Sequence, residues 1–267
     1  MTFQSPGDVL FSINNFDVYT YGIVMAFACL VGVYTSYFIY RKFHSEKDYN
    51  RIIDCGACIL IFGILGARLY YCLLNPTYYF SNPLEILNFR QGGLSIHGGL
   101  IAGILTLIFY GKKYKLGTFY LLDVFACGTA LAQSIGRWGN FFNSEAFGLP
   151  TDLPWKMYIP LNKRPDIYAS NEYFHPTFLY ESILDFCIFI ILLIIINKYK
   201  NRIKYKGLTT FVYLTLYSIV RFFIEQLRVD SALNISGIPI AQIVSAIIFI
   251  IGICGIIYII KSRELSE

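Results

Sequence analysis

Apolar residues in this chain gather in long runs separated by short charged stretches, with little strict alternation between the two. Seven runs stand out, near 19–40, 52–74, 97–110, 117–135, 176–196, 208–226 and 238–260. A helix of about 20 mostly apolar residues crosses the hydrocarbon core of a bilayer, and all runs but the third approach that length. Within lipid, an open strand edge leaves backbone groups unsatisfied, so the runs predict helices. The third run is short and follows Gly92-Gly93, which suggests that it starts inside a re-entrant or interfacial segment. No repeat, low-complexity stretch or Pro-rich linker divides the chain. The pattern predicts an all-α membrane protein, one domain over 1–267 with seven transmembrane helices.

Composition sharpens this reading. The 267 residues are 56% hydrophobic and 15% charged, with mean hydropathy +0.54. A soluble domain carries roughly 25% charged residues, so lipid is the expected solvent. The net charge of +5 does not mark a nucleic-acid partner, because Lys and Arg sit in clusters between apolar runs. The seven Cys lie mostly inside those runs, and the Cys55/Cys58 pair lacks a second pair at zinc spacing. They read as small apolar residues, and no metal or other cofactor is expected. The first run is too long for the apolar region of a cleaved signal peptide, and no Lys or Arg precedes it, so it is expected to be retained.

Loop charge sets the expected orientation. Loops 41–51, 111–116 and 197–206 and the C-terminal tail hold 14 of the 22 Lys and Arg. The opposite side holds six: Arg90, Arg137, Lys156, Lys163, Arg164 and Arg228. The positive-inside rule then puts the N-terminus outside and the C-terminus in the cytoplasm. Residues 136–175, with Pro150, Pro154, Pro160 and Pro165, become a small extracytoplasmic cap.

Charged residues in or beside spans carry the candidate chemistry, since a central Arg costs about 2.5–3.5 kcal/mol on insertion scales. Tyr217, Arg221, Glu225 and Arg228 fall at i, i+4, i+8 and i+11, one stripe along a helix. The stripe fits either a functional cavity or a structural ion-pair network. Gly92-Gly93-Leu94-Ser95-Ile96-His97-Gly98-Gly99 sets one imidazole between two glycine pairs, suited to a ligand or to tight helix packing. Residues 136–148 hold Arg137, Asn140, Asn143 and Glu145 among Gly136, Gly139 and Gly148. A guanidinium fork, amide donors and exposed backbone N–H groups together can cradle a phosphate. His175-Pro176-Thr177-Phe178-Leu179-Tyr180-Glu181 opens the fifth span, and Glu181 needs an inward position or an arginine partner there.

Taken in order, these segments resemble the bacterial prolipoprotein diacylglyceryl transferases. The matching pieces are Tyr21-Gly22, Gly66-Ala67-Arg68, the run 92–100, the run 136–148, the run 175–181, and Tyr217 with Arg221, Phe222, Glu225, Arg228 and Asp230. Phe178, Ser218, Ala241-Gln242 and Arg90-Gln91 depart from the usual family pattern. The resemblance implies a seven-helix inner-membrane enzyme that takes phosphatidylglycerol as donor. Its acceptor would be the lipobox Cys of a prolipoprotein still bearing its signal peptide, and glycerol phosphate would be released.

On that reading Arg137 and Arg221 stabilise the departing phosphate, and Asn140 positions the headgroup. Either His97 accepts the thiol proton or nearby arginines lower the thiol pKa. Glu145, Glu181 and Glu225 fix the arginines, Tyr21 and Arg68 support them, and Asn143, Gly148 and Tyr217 complete the binding set. A transporter or an intramembrane serine protease fits less well, because Ser95 and His97 lack a protease frame and the Gly-Arg-Gly-Asn loop favours headgroup chemistry.

Overall fold

The structure, a computed structural model, describes residues 2–14, 16–43, 50–89, 92–199, 205–229, 234–235 and 237–264. Arg90, Gln91 and Asp230 from the family resemblance lie outside the described residues, as do the loop cations Lys47, Lys200, Arg202 and Lys204.

Among the described residues eight α-helices follow one another: α1 Thr20–Phe43, α2 Asn50–Leu74, α3 Pro76–Ser81, α4 Ile96–Lys113, α5 Thr118–Phe142, α6 Thr177–Tyr199, α7 Leu208–Leu227 and α8 Ile240–Glu264. Six of them, all except α3 and α4, are long and apolar enough to cross a membrane. The short third run forms α4, a single 18-residue helix that starts just after Ser95 and ends in Lys112 and Lys113. Before it lie α3 and a 3-10 turn, Pro83–Leu87.

The fourth run extends furthest beyond its expected end. α5 continues to Phe142, so Arg137 and Asn140 lie on a helix and not in an outer loop. Gly136 and Gly139 do not stop it, because α1 packs over them. Met25 Sδ stands 3.2 Å from where a Gly136 Cβ would lie, and the Tyr21 ring covers Gly139. Arg228 is likewise displaced from its expected stripe, as α7 ends at Leu227 and Arg228 is in extended backbone.

Residues outside the long helices include strands that a purely helical reading omits. β2 (Val9–Ile13) and β3 (Phe16–Tyr19) form an antiparallel hairpin. A small sheet in the order β1-β4-β5 joins Phe3–Gln4, Met157–Tyr158 and Tyr173–Phe174, and Asn234–Ile235 (β6) pairs with Ile238–Pro239 (β7). Phe147, Met157, Ile159, Phe174 and Phe178 make a buried core beneath that three-stranded sheet.

The chain divides into two compact units, residues 33–124 and the remainder, with the boundaries inside α1 and α5. In the 33–124 unit, α2 and α4 meet through glycines. A Cβ on Gly98 would collide with the Gly66 carbonyl oxygen and Tyr70 Cβ, and one on Gly66 with Ala102 Cβ. Small residues let backbones approach where hydrocarbon supplies no hydrophobic drive between helices. In the other unit, α7 and α8 use the same device, Gly252 and Gly255 resting on Thr215 and Phe211.

Gly98→Ala is therefore expected to destabilise the protein by about 1–3 kcal/mol through overpacking. Gly22→Ala, where an added Cβ meets nothing within 4 Å, should be neutral or slightly stabilising. Thermal unfolding of both variants in detergent checks this, and a neutral Gly98→Ala would mean that the glycine contact does not set the helix spacing.

Candidate active site

Helix α6 begins at Thr177, whose hydroxyl donates to the Ala146 carbonyl and ties the helix start to the end of α5. One turn in, Glu181 and Asp185 stand at i and i+4 on one face of an otherwise apolar helix, each side chain 1% exposed. Two buried carboxylates in a spanning helix are tolerable only with partners.

Arginines from the two neighbouring segments supply them. Arg137 of α5 places Nη1 2.7 Å from Glu181 Oε2 and Nε 3.8 Å from Asp185 Oδ2. Arg221 of α7 donates from Nη1 to Glu181 Oε1 at 2.6 Å, and its Nη2 meets Glu225 Oε2 at 2.5 Å. Each oxygen of Glu181 thus serves a different guanidinium, and one carboxylate cross-links three helices. Tyr217 lies within electrostatic reach of Arg137, and its ring stacks on Tyr213 at 5.8 Å. Tyr213 in turn donates to Gln133 Oε1 at 2.9 Å. The two arginine side chains stay 18% and 17% exposed, so a ligand can reach them while the carboxylates behind remain sealed.

The end of α5 forms a lip above this cluster. The chain folds back after Phe142 through Ser144 at φ 50° and Ala146 at φ 54°, left-handed positions that cost about 1–2 kcal/mol each for such residues. Hydrogen bonds hold the turn: Glu145 N donates to Asn140 O at 3.0 Å, and Asn140 Nδ2 donates to Glu145 Oε1 at 2.8 Å. Tyr21 lies within electrostatic reach of both Glu145 and Arg137. The Asn143 carbonyl accepts from Lys163 Nζ at 2.6 Å. Gly148 sits between His175 and Arg228 in backbone pairing, and any Cβ there would press on His175 Cβ at 2.8 Å and the Leu227 carbonyl oxygen at 3.0 Å.

Ten of the residues singled out in the sequence therefore share one unit: Arg137, Glu181, Tyr217, Arg221 and Glu225 in the cluster, and Tyr21, Asn140, Asn143, Glu145 and Gly148 around its lip. His97 and Arg68 belong to the 33–124 unit. His97 heads α4 with its ring exposed, 6.4 Å from the Tyr70 ring. Arg68 is 3% exposed and spends its donors on backbone. Nε reaches Ile86 O at 3.0 Å, Nη2 Glu85 O at 2.6 Å, and Nη1 both Gly92 O at 2.6 Å and Gly93 O at 3.1 Å. Asp185 escaped the sequence reading, although an acid four residues after Glu181 in an apolar run was the available signal.

The departures from the family pattern find local accommodation. Phe178 is buried among Phe3, Trp138 and Phe141, an aromatic cluster that a polar side chain could not complete. Ser218 donates to Thr215 O at 2.8 Å within its own helix, and Gln242 Nε2 reaches toward Phe222 O at 3.4 Å. At the rim, Trp155 Nε1 donates to the Tyr180 hydroxyl at 2.8 Å, and His175 Nδ1 lies 3.2 Å from the same oxygen. Burial lowers the His175 pKa below the usual imidazole value.

Six helices among the described residues are long and apolar enough to cross a membrane, and α5, α6 and α7 bring together two part-exposed arginines braced by carboxylates, which defines an integral membrane protein with a cationic cluster in its helices. The chain belongs to the prolipoprotein diacylglyceryl transferase family, which it matches over residues 8–258. It is 41% identical over 261 residues to the phosphatidylglycerol–prolipoprotein diacylglyceryl transferase of Synechococcus elongatus, covering 97% of this chain and 89% of the relative. The enzyme of that name from Synechocystis sp. is 42% identical over 259 residues, with 96% and 90% covered.

Glu181→Gln is expected to cost about 3–5 kcal/mol of stability, because it leaves two largely enclosed guanidiniums without their shared buried partner. Asp152→Asn, at an exposed pair 3.6 Å from Lys156, should leave the melting temperature unchanged. Parallel melts in one detergent compare the two.

Proposed function

We propose that this protein transfers the diacylglyceryl group of phosphatidylglycerol to the lipobox cysteine of prolipoproteins, forming a thioether and releasing glycerol phosphate. The observation that carries the reading is the pair of part-exposed guanidiniums braced by Glu181 in a chain of this family. The thiolate sulfur attacks the glyceryl carbon bonded to phosphate. A C–S bond forms, the C–O bond breaks, and its electron pair leaves on the phosphate oxygen. Arg137 and Arg221 meet the charge that grows there, and Asn140, Asn143, Glu145, Gly148, Tyr21 and Tyr217 shape the headgroup site. Arg68 is assigned a supporting role on the family resemblance, and within its own unit it holds the carbonyls of Glu85, Ile86, Gly92 and Gly93. His97 takes the thiol proton.

We place the protein in the bacterial cytoplasmic (inner) membrane, in contact with the bilayer lipid, with α4 as a seventh span. The charge bias of the loops supports an outer N-terminus, a cytoplasmic C-terminus and an active site toward the outer leaflet. The small sheet and its core then form the extracytoplasmic cap.

The purified protein in phosphatidylglycerol vesicles should attach diacylglyceryl to a lipobox peptide, and Arg137→Lys should fail nearly as badly as Arg137→Ala. An ammonium cannot reproduce a guanidinium that contacts carboxylate and phosphate together. Lipid binding without transfer would make the protein a lipid-holding module instead.

If His97 is the base, His97→Gln should lose roughly 10²–10⁴ in rate, with residual activity rising between pH 6 and 9 as the thiol ionises unaided. Turnover of the peptide across that range measures it. A loss of only about 5–30-fold with an unchanged profile would reduce His97 to a hydrogen-bonding role.

A further inference from the structure

Asp185 is a buried carboxylate with no part in the bond changes of the transfer. It sits one turn along α6 from Glu181, with its side chain 1% exposed. Holding α5 to α6 does not explain it. Ser134 Oγ donates to Ser182 O and Ser182 Oγ to Ser134 O, each at 2.8 Å, so the two helices are already joined one turn from Arg137. A charged group inside a span is costly, and a neutral residue of similar size would fill the same space.

What Asp185 contacts gives its use. Glu181 holds Arg137 by Nη1, at the tip of the guanidinium, and shares its charge with Arg221. A phosphate arriving at the open side competes with Glu181 for that tip, and a planar group whose tip contact is shared can swing. Asp185 Oδ2 lies instead 3.8 Å from Nε, at the neck, in an ion-pair contact longer than a hydrogen bond. Attraction there resists rotation of the plane while leaving the terminal nitrogens to the phosphate.

We propose that Asp185 is a positioning residue for the transfer reaction, fixing the plane of the Arg137 guanidinium from behind while the donor phosphate is held in front. This rests on the reading that Arg137 contacts that phosphate. A misplacement of about 1 Å at a catalytic group costs on the order of 10²-fold in rate, so the loss of such a tether should appear in turnover.

The test uses the full-length protein in phosphatidylglycerol vesicles with a lipobox peptide. Wild-type turnover comes first, and its absence would count against the proposed function and not against Asp185. Asp185→Asn keeps size and loses charge. It should lower kcat by roughly 10–100-fold, with KM for phosphatidylglycerol within about threefold and the melting temperature nearly unchanged. Asp185→Glu should recover much of the lost turnover. On an Arg137→Lys background, Asp185→Asn should add little, since residues acting through one another are not additive. The proposal is overturned if Asp185→Asn keeps kcat within about threefold of wild type. It is equally overturned if the loss is as large on the Arg137→Lys background, or if turnover falls only in proportion to folded protein.

Discussion

One carboxylate shared by two guanidiniums governs this structure. Glu181 lies in a helix whose other faces are apolar, and its two oxygens are divided between Arg137 and Arg221. Remove it and the arginines repel each other across a medium that screens poorly. Keep it, and α5, α6 and α7 must stay in one alignment, because each contributes a charge that has no acceptable alternative in lipid. The lip at the end of α5 is tied to the same alignment: besides its own hydrogen bonds, the turn at Ser144 and Ala146 is held by Thr177, at the head of α6, through the Ala146 carbonyl.

The rest of the chain obeys the solvent it occupies. Where helices meet beside lipid, glycine, serine and threonine stand at the contacts, since close approach and hydrogen bonds replace hydrophobic drive. The strands are short pieces outside the long helices, where an unpaired edge can be met by water. The aromatic core under the three-stranded sheet is a small globular interior built on the helix ends, with Phe178 of α6 as the piece common to both.

Much of this was legible in the residues. Arg221 and Glu225 announced themselves by spacing, and Glu181 by its isolation in an apolar run. The bounds of α5 were not legible, because glycines that usually end a helix are here the surface against which α1 packs. The partner of Arg137 is half legible: Glu181 is expected to need an arginine, while Asp185 lies beyond the 175–181 motif, inside an apolar run. The hairpin at Val9–Ile13 and Phe16–Tyr19 is not legible, since its two strands are too short to show an alternating pattern just before the first long run. No spacing in one sequence links Arg68 to four carbonyls, as the acceptors belong to backbone and carry no residue identity.

That last feature makes one side chain a register mark. Arg68 in α2 meets the carbonyls of Glu85, Ile86, Gly92 and Gly93, 17 to 25 residues further along the chain. The approach to α4 is thereby referenced to one guanidinium in the preceding long helix, and not to the identity of the side chains that it passes.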